Sequence, residues 1–147
     1  MRPRAKIRCR VADAKRAPRG LLDTSVVIDL DHIDTKQLPL EAAVSAVTMA
    51  ELAAGPHATT DAAERARRQD RLQRAEAAFD PLPFDGEAAR AYGRVFAAVT
   101  SSGRKARGAR AVDLLIAATA LAAELPLYTR NGDDFRALGK LVDVIVV

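Results

Sequence analysis

The sequence predicts an α/β domain built as a three-layer α/β/α sandwich around a mostly parallel central sheet. Short apolar runs alternate along the chain with longer segments in which apolar residues recur at helical spacing. Hydrophobic residues make up 49% of the chain but aromatic residues only 4%, which suits helices that pack closely on a sheet through small side chains. Because strands that alternate with helices form a parallel sheet covered on both faces, these observations favour this fold class.

Two strand–helix units are predicted in the first half of the domain. Residues 21–22 begin an apolar run that stops at Asp23, and a helix is expected to start near Ser25. A second short strand is expected at residues 43–44, before a helix that carries Glu51 in its first turns. Each unit brings one acidic side chain to the place where a strand gives way to a helix.

The remaining elements continue this alternation, and helical periodicity together with flanking Pro and Gly residues defines them. In chain order we predict a helix at 59–79, a short strand at 82–84, a helix at 86–99, a nearly all-apolar helix at 112–121 with Asp113 at its beginning, a strand at 127–129, a turn at 131–134 that leads into a short helix, and a closing strand at 142–147.

Positive charge is concentrated at the N-terminal end. The 147 residues fit one domain, since domains most often run to ~100–150 residues. The net charge is +4, but residues 1–20 alone carry +7 and the remainder carries −3. We therefore expect residues 1–19 to be a basic extension outside the fold and residues 20–147 to form the domain. Binding of RNA phosphates and an organelle presequence are alternative roles for the extension.

Several protein classes are excluded by what the sequence lacks. It contains neither the apolar core of a signal peptide nor the ~18 consecutive apolar residues of a membrane span. Cys9 is the only cysteine, which fits a reducing compartment, and the two histidines, His32 and His57, lack the spacing of a zinc motif. We expect a soluble, cytoplasmic protein.

Four acidic residues are the candidate site: Asp23, Glu51, Asp113 and Asp134. Each lies at a predicted strand end or near a helix start, and in an open α/β sheet such positions meet at one edge. Clustered carboxylates repel one another unless a cation neutralises them, and hard oxygen ligands favour Mg²⁺ or Mn²⁺ over zinc. A metal held in this way can activate water for attack on a phosphodiester. The pattern therefore predicts a metal-dependent nuclease.

Each acid also has a purely structural interpretation. Asp23 is a suitable cap for the helix that follows it. Glu51 and Asp113 suit the first turn of a helix, where the helix dipole favours negative charge. Asp133 and Asp134 are typical turn residues. Taken singly, none of these acids indicates an enzyme.

The segments around these acids resemble the PIN-domain ribonucleases, and most closely the VapC-type toxins of bacterial toxin–antitoxin pairs. The resemblance covers about residues 20–147 and rests on four segments in the same order: Leu22-Asp23-Thr24-Ser25, Thr48-Met49-Ala50-Glu51-Leu52, Asp113-Leu114-Leu115-Ile116-Ala117-Ala118-Thr119-Ala120 and Thr129-Arg130-Asn131-Gly132-Asp133-Asp134-Phe135. The last of these matches a T-x-N-x-x-D-F pattern. The lead-in of 19 residues before the first strand is a departure from the family.

The resemblance implies roles for the site residues in an Mg²⁺- or Mn²⁺-dependent endoribonuclease. Asp23 and Asp113 would be the principal metal ligands, while Glu51 and Asp134 would complete the shell and orient or deprotonate the attacking water. Asp133 is the alternative to Asp134. Two further residues, Ser25 and Asn131, are expected to hydrogen-bond to the metal ligands from behind. A turn-forming role is the alternative for both.

The resemblance also implies partners: an RNA substrate such as tRNA or ribosomal RNA, a second copy of the chain in a homodimer, and a small antitoxin. A basic loop before Asp113 is a candidate for binding RNA phosphates, and a solvated loop is the alternative; its residues are Arg104, Lys105, Arg107 and Arg110. Two other functions stay open, a non-catalytic RNA-binding or regulatory module, and an RNA-processing nuclease outside a toxin–antitoxin pair.

Overall fold

The central sheet of the computed structural model contains five parallel strands in the order β1-β5-β4-β2-β3. The structure describes residues 10–11, 16–104 and 108–147. The strands are β1 (Arg10–Val11), β2 (Arg19–Leu22), β3 (Glu41–Val44), β4 (Leu127–Thr129) and β5 (Val144–Val146). All pairings are parallel, so the carboxyl ends of the strands meet at the same edge, as the sequence predicted.

Helices connect the strands and cover the sheet. The α-helices are α1 (Thr24–Ile28), α2 (Ala46–Ala54), α3 (Ala62–Ala78), α4 (Gly86–Ser101) and α5 (Ala109–Ala122). Four 3-10 helices complete the described elements, at Leu30–His32, Thr35–Gln37, Gly55–Ala58 and Gly132–Leu138. Within the described ranges, no helix combines the length and the apolarity needed to cross a membrane.

The core is divided by the sheet into two clusters, which confirms the predicted three-layer sandwich. Successive strand residues point to opposite faces, and the β2 residues Leu21 and Leu22 accordingly belong to different clusters. Leu21 packs with apolar residues of α4 and α5, whereas Leu22 packs with those of α1, α2 and α3. Each helix layer is thus held by burial of apolar side chains against one face of the sheet.

Two differences from the predictions concern the sheet and the site, and smaller ones shift boundaries: α3 begins at residue 62 instead of 59, and β5 spans 144–146 instead of 142–147. Residues 82–84 form no strand, because Leu82 makes only an isolated parallel bridge with Ser45 and lies between two prolines, which have no N–H to donate. Helix α5 begins at Ala109, before the predicted start at residue 112. Asp113 is consequently the fifth residue of its helix, outside the first turn.

The N-terminal residues that the structure describes contact the domain. Strand β1 pairs with β5, and the Arg16 side chain donates from Nε to Leu38 O at 2.9 Å and from Nη2 to Pro39 O at 3.1 Å. Residues 10–11 and 16–19 thus contact the domain that was predicted to begin at residue 20. The boundary at residue 20 stays a prediction, and Cys9 lies outside the described residues.

Candidate active site

The four predicted acids come from four different elements. Asp23 directly follows β2, Glu51 lies on α2, Asp113 lies on α5, and Asp134 lies in the 3-10 helix after β4. The charges of the other three acids all act on Asp113 and raise its pKa. The fold therefore brings together the four carboxylates that sequence reasoning selected.

Asp23 is buried and is held through one carboxylate oxygen. The residue is only 4% exposed. Its Oδ2 accepts hydrogen bonds from Ser25 Oγ at 2.8 Å and from Thr129 Oγ1 at 2.9 Å. Although Asp23 occupies the cap position of α1, its side chain makes no capping hydrogen bond. The helix-cap interpretation of Asp23 is therefore wrong.

The other oxygen of Asp23, Oδ1, is the only buried side-chain nitrogen or oxygen in the described residues without a hydrogen-bond partner. Leaving a buried charged oxygen unsatisfied costs free energy, on the order of 1–3 kcal/mol or more. Such an atom calls for an explanation, and a cation is one that suits a carboxylate. Oδ1 thus has the property expected of a metal ligand.

The two hydroxyls that hold Asp23 are themselves fixed by the backbone. Ser25 Oγ accepts a hydrogen bond from the N–H of Arg130 at 3.1 Å, and Thr129 Oγ1 accepts one from the N–H of Asn131 at 3.0 Å. Each hydroxyl therefore accepts from the chain after β4 and donates to the same carboxylate oxygen. Ser25 has the hydrogen-bonding position that was predicted for it, whereas Thr129 was not singled out.

Asp113 carries the strongest electrostatic signal of the site. Burial raises its pKa from 3.8 to about 7, with further upward contributions from Asp23, Asp134 and Glu51 and an opposing one from Arg110. A raised carboxyl pKa means that the negative charge is disfavoured unless a positive charge compensates it. A proton or a cation beside Asp113 provides that compensation.

Glu51 is held by a hydroxyl from the neighbouring helix. Its Oε1 accepts a hydrogen bond of 2.6 Å from Thr24 Oγ1. Helix α2 begins at Ala46, so Glu51 is the sixth residue of the helix, and Asp113 is likewise beyond the first turn of α5. Because the helix dipole acts within the first turn, it does not explain either acid.

Asp133 and Asp134 occupy different environments although they are adjacent in sequence. The Asp133 side chain is 83% exposed and forms an ion pair with Arg136. Asp134 is among the groups that raise the pKa of Asp113. Of the two, Asp134 is the one with an electrostatic connection to the acidic cluster.

Asn131 lines a cleft beside Asp134. The cleft has a volume of about 430 Å³ and is bordered by residues 130–134 and Val146. The backbone of Asn131 contacts Thr129, but its side chain makes no hydrogen bond with other residues that the structure describes. The Asn131 amide, which was predicted to form hydrogen bonds behind the metal ligands, thus forms none with the described residues.

The donor set fits a hard cation, although no ion cage is preformed. Across residues 16–104 and 108–147, no three Asp, Glu, His or Cys side chains stand close enough together to hold a metal as they are arranged. The cluster nevertheless contains four carboxylates, one of them with an unpartnered buried oxygen and one with a raised pKa. Oxygen-only donors of this kind suit Mg²⁺ or Mn²⁺.

Only part of the predicted RNA-binding loop is described. Arg104 donates from Nη1 to the carbonyl oxygen of Asp133 at 2.7 Å, and Arg110 is near enough to Asp113 to lower its pKa. Lys105 and Arg107 lie outside the described residues. Arg110 thus borders the acidic cluster, and Arg104 contacts the segment that carries Asp134.

Sequence reasoning missed three threonines that organise the site: Thr24, Thr48 and Thr129. Thr48 and Thr129 are fully buried and Thr24 is 9% exposed. A hydroxyl residue at a strand end or helix start, close to a buried apolar run, was the available signal, because buried polar groups are almost always hydrogen-bonded.

Comparison with known proteins identifies the family. The PIN domain family model matches residues 20–141. The chain is 37% identical over 131 residues to Ribonuclease VapC5 of Mycobacterium tuberculosis. The aligned segment covers 87% of this chain and 93% of that protein. It also resembles the crystal structure of VapBC-5, a member of the VapBC family of toxin–antitoxin systems from the same organism, with a TM-score of 0.78, 37% identity, and coverage of 88% of this chain and 99% of that one.

A more distant structure shares the fold alone. VapBC2 from Rickettsia felis, solved with a DNA fragment from its promoter, matches with a TM-score of 0.67 at 20% identity and covers 86% of this chain and 96% of that chain. The family model and the relative at 37% identity each match most of this chain. The chain belongs to the PIN-domain family.

Proposed function

We propose that this protein is a divalent-metal-dependent endoribonuclease that acts as the toxin of a toxin–antitoxin pair and is inhibited by a cognate antitoxin. The observation that carries the proposal is the unpartnered Oδ1 of buried Asp23, in an acidic cluster where the pKa of Asp113 is raised to about 7. A site that only stabilised the fold would have no reason to keep these charges together. Similarity to Ribonuclease VapC5 supports RNA as the substrate class.

The cation would be held mainly by Asp23, through Oδ1, and by Asp113, with Glu51 and Asp134 completing the set. When bound, Mg²⁺ or Mn²⁺ supplies a Lewis acid for the phosphoryl oxygens and increases the acidity of a bound water. Because the pKa of Asp113 is raised, its carboxyl group tends to keep a proton in the metal-free protein, and metal binding would displace that proton. Ser25 and Thr129 keep Asp23 in place by holding Oδ2.

Glu51 and Asp134 are proposed to handle the attacking water. Glu51 is restrained through Oε1 by Thr24, which leaves its second oxygen to orient the water or accept its proton. Asp134 borders the cleft of about 430 Å³, which offers space for the RNA chain beside the acids. Arg104 and Arg110 flank the cluster and would bind phosphates next to the cleaved bond.

The proposed partner is a small antitoxin protein. Its support is the similarity to the VapBC-5 toxin–antitoxin structure over 88% of this chain. The homodimer implied by the family resemblance stays a prediction, which light scattering of the purified protein tests directly. Cytoplasmic localisation likewise stays a prediction.

The decisive experiment is cleavage of a mixed pool of tRNA and ribosomal RNA by the purified protein with Mg²⁺, with Mn²⁺ and with EDTA. We expect discrete products that require metal and that disappear in Asp113→Asn. Asp31→Asn is the matched control, because the side chain of this acid is 81% exposed and pairs with Arg74 of α3. Intact RNA under all conditions would contradict the proposal, and cleavage by Asp113→Asn at the wild-type rate would contradict the assignment of the site.

A further inference from the structure

A chain of three hydroxyls leads to Glu51. Thr24 Oγ1 lies 2.6 Å from Glu51 Oε1 and 3.0 Å from Thr48 Oγ1, and Thr48 Oγ1 lies 3.3 Å from Ser45 Oγ. Ser45 and Thr48 are completely buried, and Thr24 is 9% exposed. The chain therefore connects one carboxylate of the site to the protein interior without passing through solvent.

Thr24 donates the hydrogen bond that reaches Glu51, at 2.6 Å the shortest contact of this chain. An ionised carboxylate can only accept, so the single proton of the Thr24 hydroxyl goes to Glu51. Thr48 Oγ1 lies against the Thr24 hydroxyl at 3.0 Å and accepts a hydrogen bond from Ser45 Oγ. Ser45 is fixed in turn, because its Oγ accepts the backbone N–H of Thr48 at 3.0 Å as the cap of α2.

This arrangement links the two acids of the first half of the chain. Thr24 directly follows Asp23, whose carboxylate is held by Ser25 and Thr129. A hydrogen bond from Thr24 to Glu51 therefore fixes the position of one acid relative to the other. Glu51 Oε2 receives no hydrogen bond from the residues that the structure describes, so it is the oxygen left for the acidic site.

We propose that Thr24 and Thr48 are positioning residues for Glu51, whose Oε1 they hold so that Oε2 is directed to metal or water in the acidic site. The inference rests on the proposed nuclease function and adds to it the groups that orient Glu51. Groups that orient metal ligands from behind typically contribute 10- to 100-fold to metal affinity or activity.

The test compares Thr24→Val with Thr24→Ser. Valine keeps the shape of threonine without the hydroxyl, whereas serine keeps the hydroxyl. For Thr24→Val we expect kcat for RNA cleavage to fall about 10- to 100-fold with KM within about 2-fold, and Mn²⁺ affinity, measured by calorimetry, to fall about 10-fold. Thr24→Ser should restore both to within about 3-fold of wild type, and Thr48→Val should show a smaller loss than Thr24→Val.

A matched control and a double variant exclude a merely structural effect. Thr119→Val removes another buried threonine hydroxyl, which bonds only to Leu115 O within the described residues, and should leave kcat and Mn²⁺ affinity unchanged. In a Glu51→Ala background, Thr24→Val should cost no more than about 2-fold, because the group that it positions is gone. An equal loss in both backgrounds would overturn the proposal.

Failure of this inference is distinguishable from failure of the proposed function. A wild-type protein that cleaves RNA while Thr24→Val matches its kcat and Mn²⁺ affinity would overturn the positioning role alone. If the wild type cleaves no RNA, the nuclease proposal fails, and Mn²⁺ affinity still decides the role of Thr24. Weaker binding in Thr24→Val, restored in Thr24→Ser, supports it, and equal binding in all three proteins overturns it.

Discussion

Replacing Asp113 by Asn is expected to stabilise the metal-free protein at pH 8 while abolishing RNA cleavage. The pKa of Asp113 is raised from 3.8 to about 7 by burial and by the charges of Asp23, Asp134 and Glu51. The folded protein therefore binds a proton that the unfolded chain releases between these two values. The stability associated with that proton is fully present below about pH 4 and is lost as the pH rises through about 7, so that the ionised Asp113 destabilises the fold at pH 8.

The magnitude follows from the size of the pKa shift. A shift from 3.8 to about 7 corresponds to at most ~4 kcal/mol, at ~1.4 kcal/mol for each pKa unit. Asp113 is only partly buried, and solvent screening reduces this value. We therefore expect Asp113→Asn to raise the free energy of unfolding at pH 8 by ~1–2 kcal/mol, or the melting temperature by roughly 2–8 °C, with little difference from wild type at pH 4.

The assay is urea unfolding followed by circular dichroism from pH 4 to pH 8, in EDTA and in excess Mg²⁺. Metal should stabilise the wild type more than the variant, because a ligand that binds only the folded state adds to its stability. Asp133→Asn should change stability by less than ~0.5 kcal/mol throughout, as expected for an exposed position. A difference between wild type and Asp113→Asn that does not change with pH, or a variant less stable than wild type at pH 8, would refute this reasoning.

Three further predictions concern Asp134 and the neighbours of the acids. Thr129→Val should reduce the free energy of unfolding by ~1–3 kcal/mol and weaken Mg²⁺ binding, because Asp23 Oδ2 loses a buried donor. Urea unfolding and calorimetry measure the two effects, and unchanged values would show that Ser25 alone is enough to hold Asp23. Gly132→Ala should lower cleavage activity and melting temperature, since an added Cβ would lie 2.5 Å from Val146 Cγ2 and displace the 3-10 helix that carries Asp134; wild-type activity would mean that this segment adapts without cost. Asp134→Asn should reduce kcat in the RNA assay with the fold intact by circular dichroism, and full activity would exclude Asp134 from the site.

The sequence was sufficient for the features that depend on local pattern. The apolar run before Asp23 located β2, and the T-x-N-x-x-D-F pattern located the segment that carries Asp134. The start of α5 was not predictable in the same way. Its cap is Gly108, with φ of 64° and no capping side chain, so the Ser, Thr, Asp or Asn that usually marks a helix start is missing.

Contacts between segments that are distant in the sequence could not be predicted from the sequence either. The hydrogen bond from Thr129 to Asp23 depends on the pairing of β2 with β4, in which Leu22 lies beside Tyr128. Nothing local to either strand specifies that register. The family resemblance supplied the order of the acids, but the hydroxyls that hold them became visible only with the strands in place.

The position of β4 in the sheet has a consequence for synthesis of the protein. Strand β4 lies between β2 and β5, yet its residues, 127–129, are translated more than 100 residues after those of β2. Asp23 is made early, and the Thr129 hydroxyl that holds it comes 106 residues later. A nascent chain on the ribosome, or a fragment released by premature termination, therefore lacks the centre of its sheet and an assembled acidic cluster. The acidic cluster can assemble only after β4 has been synthesised.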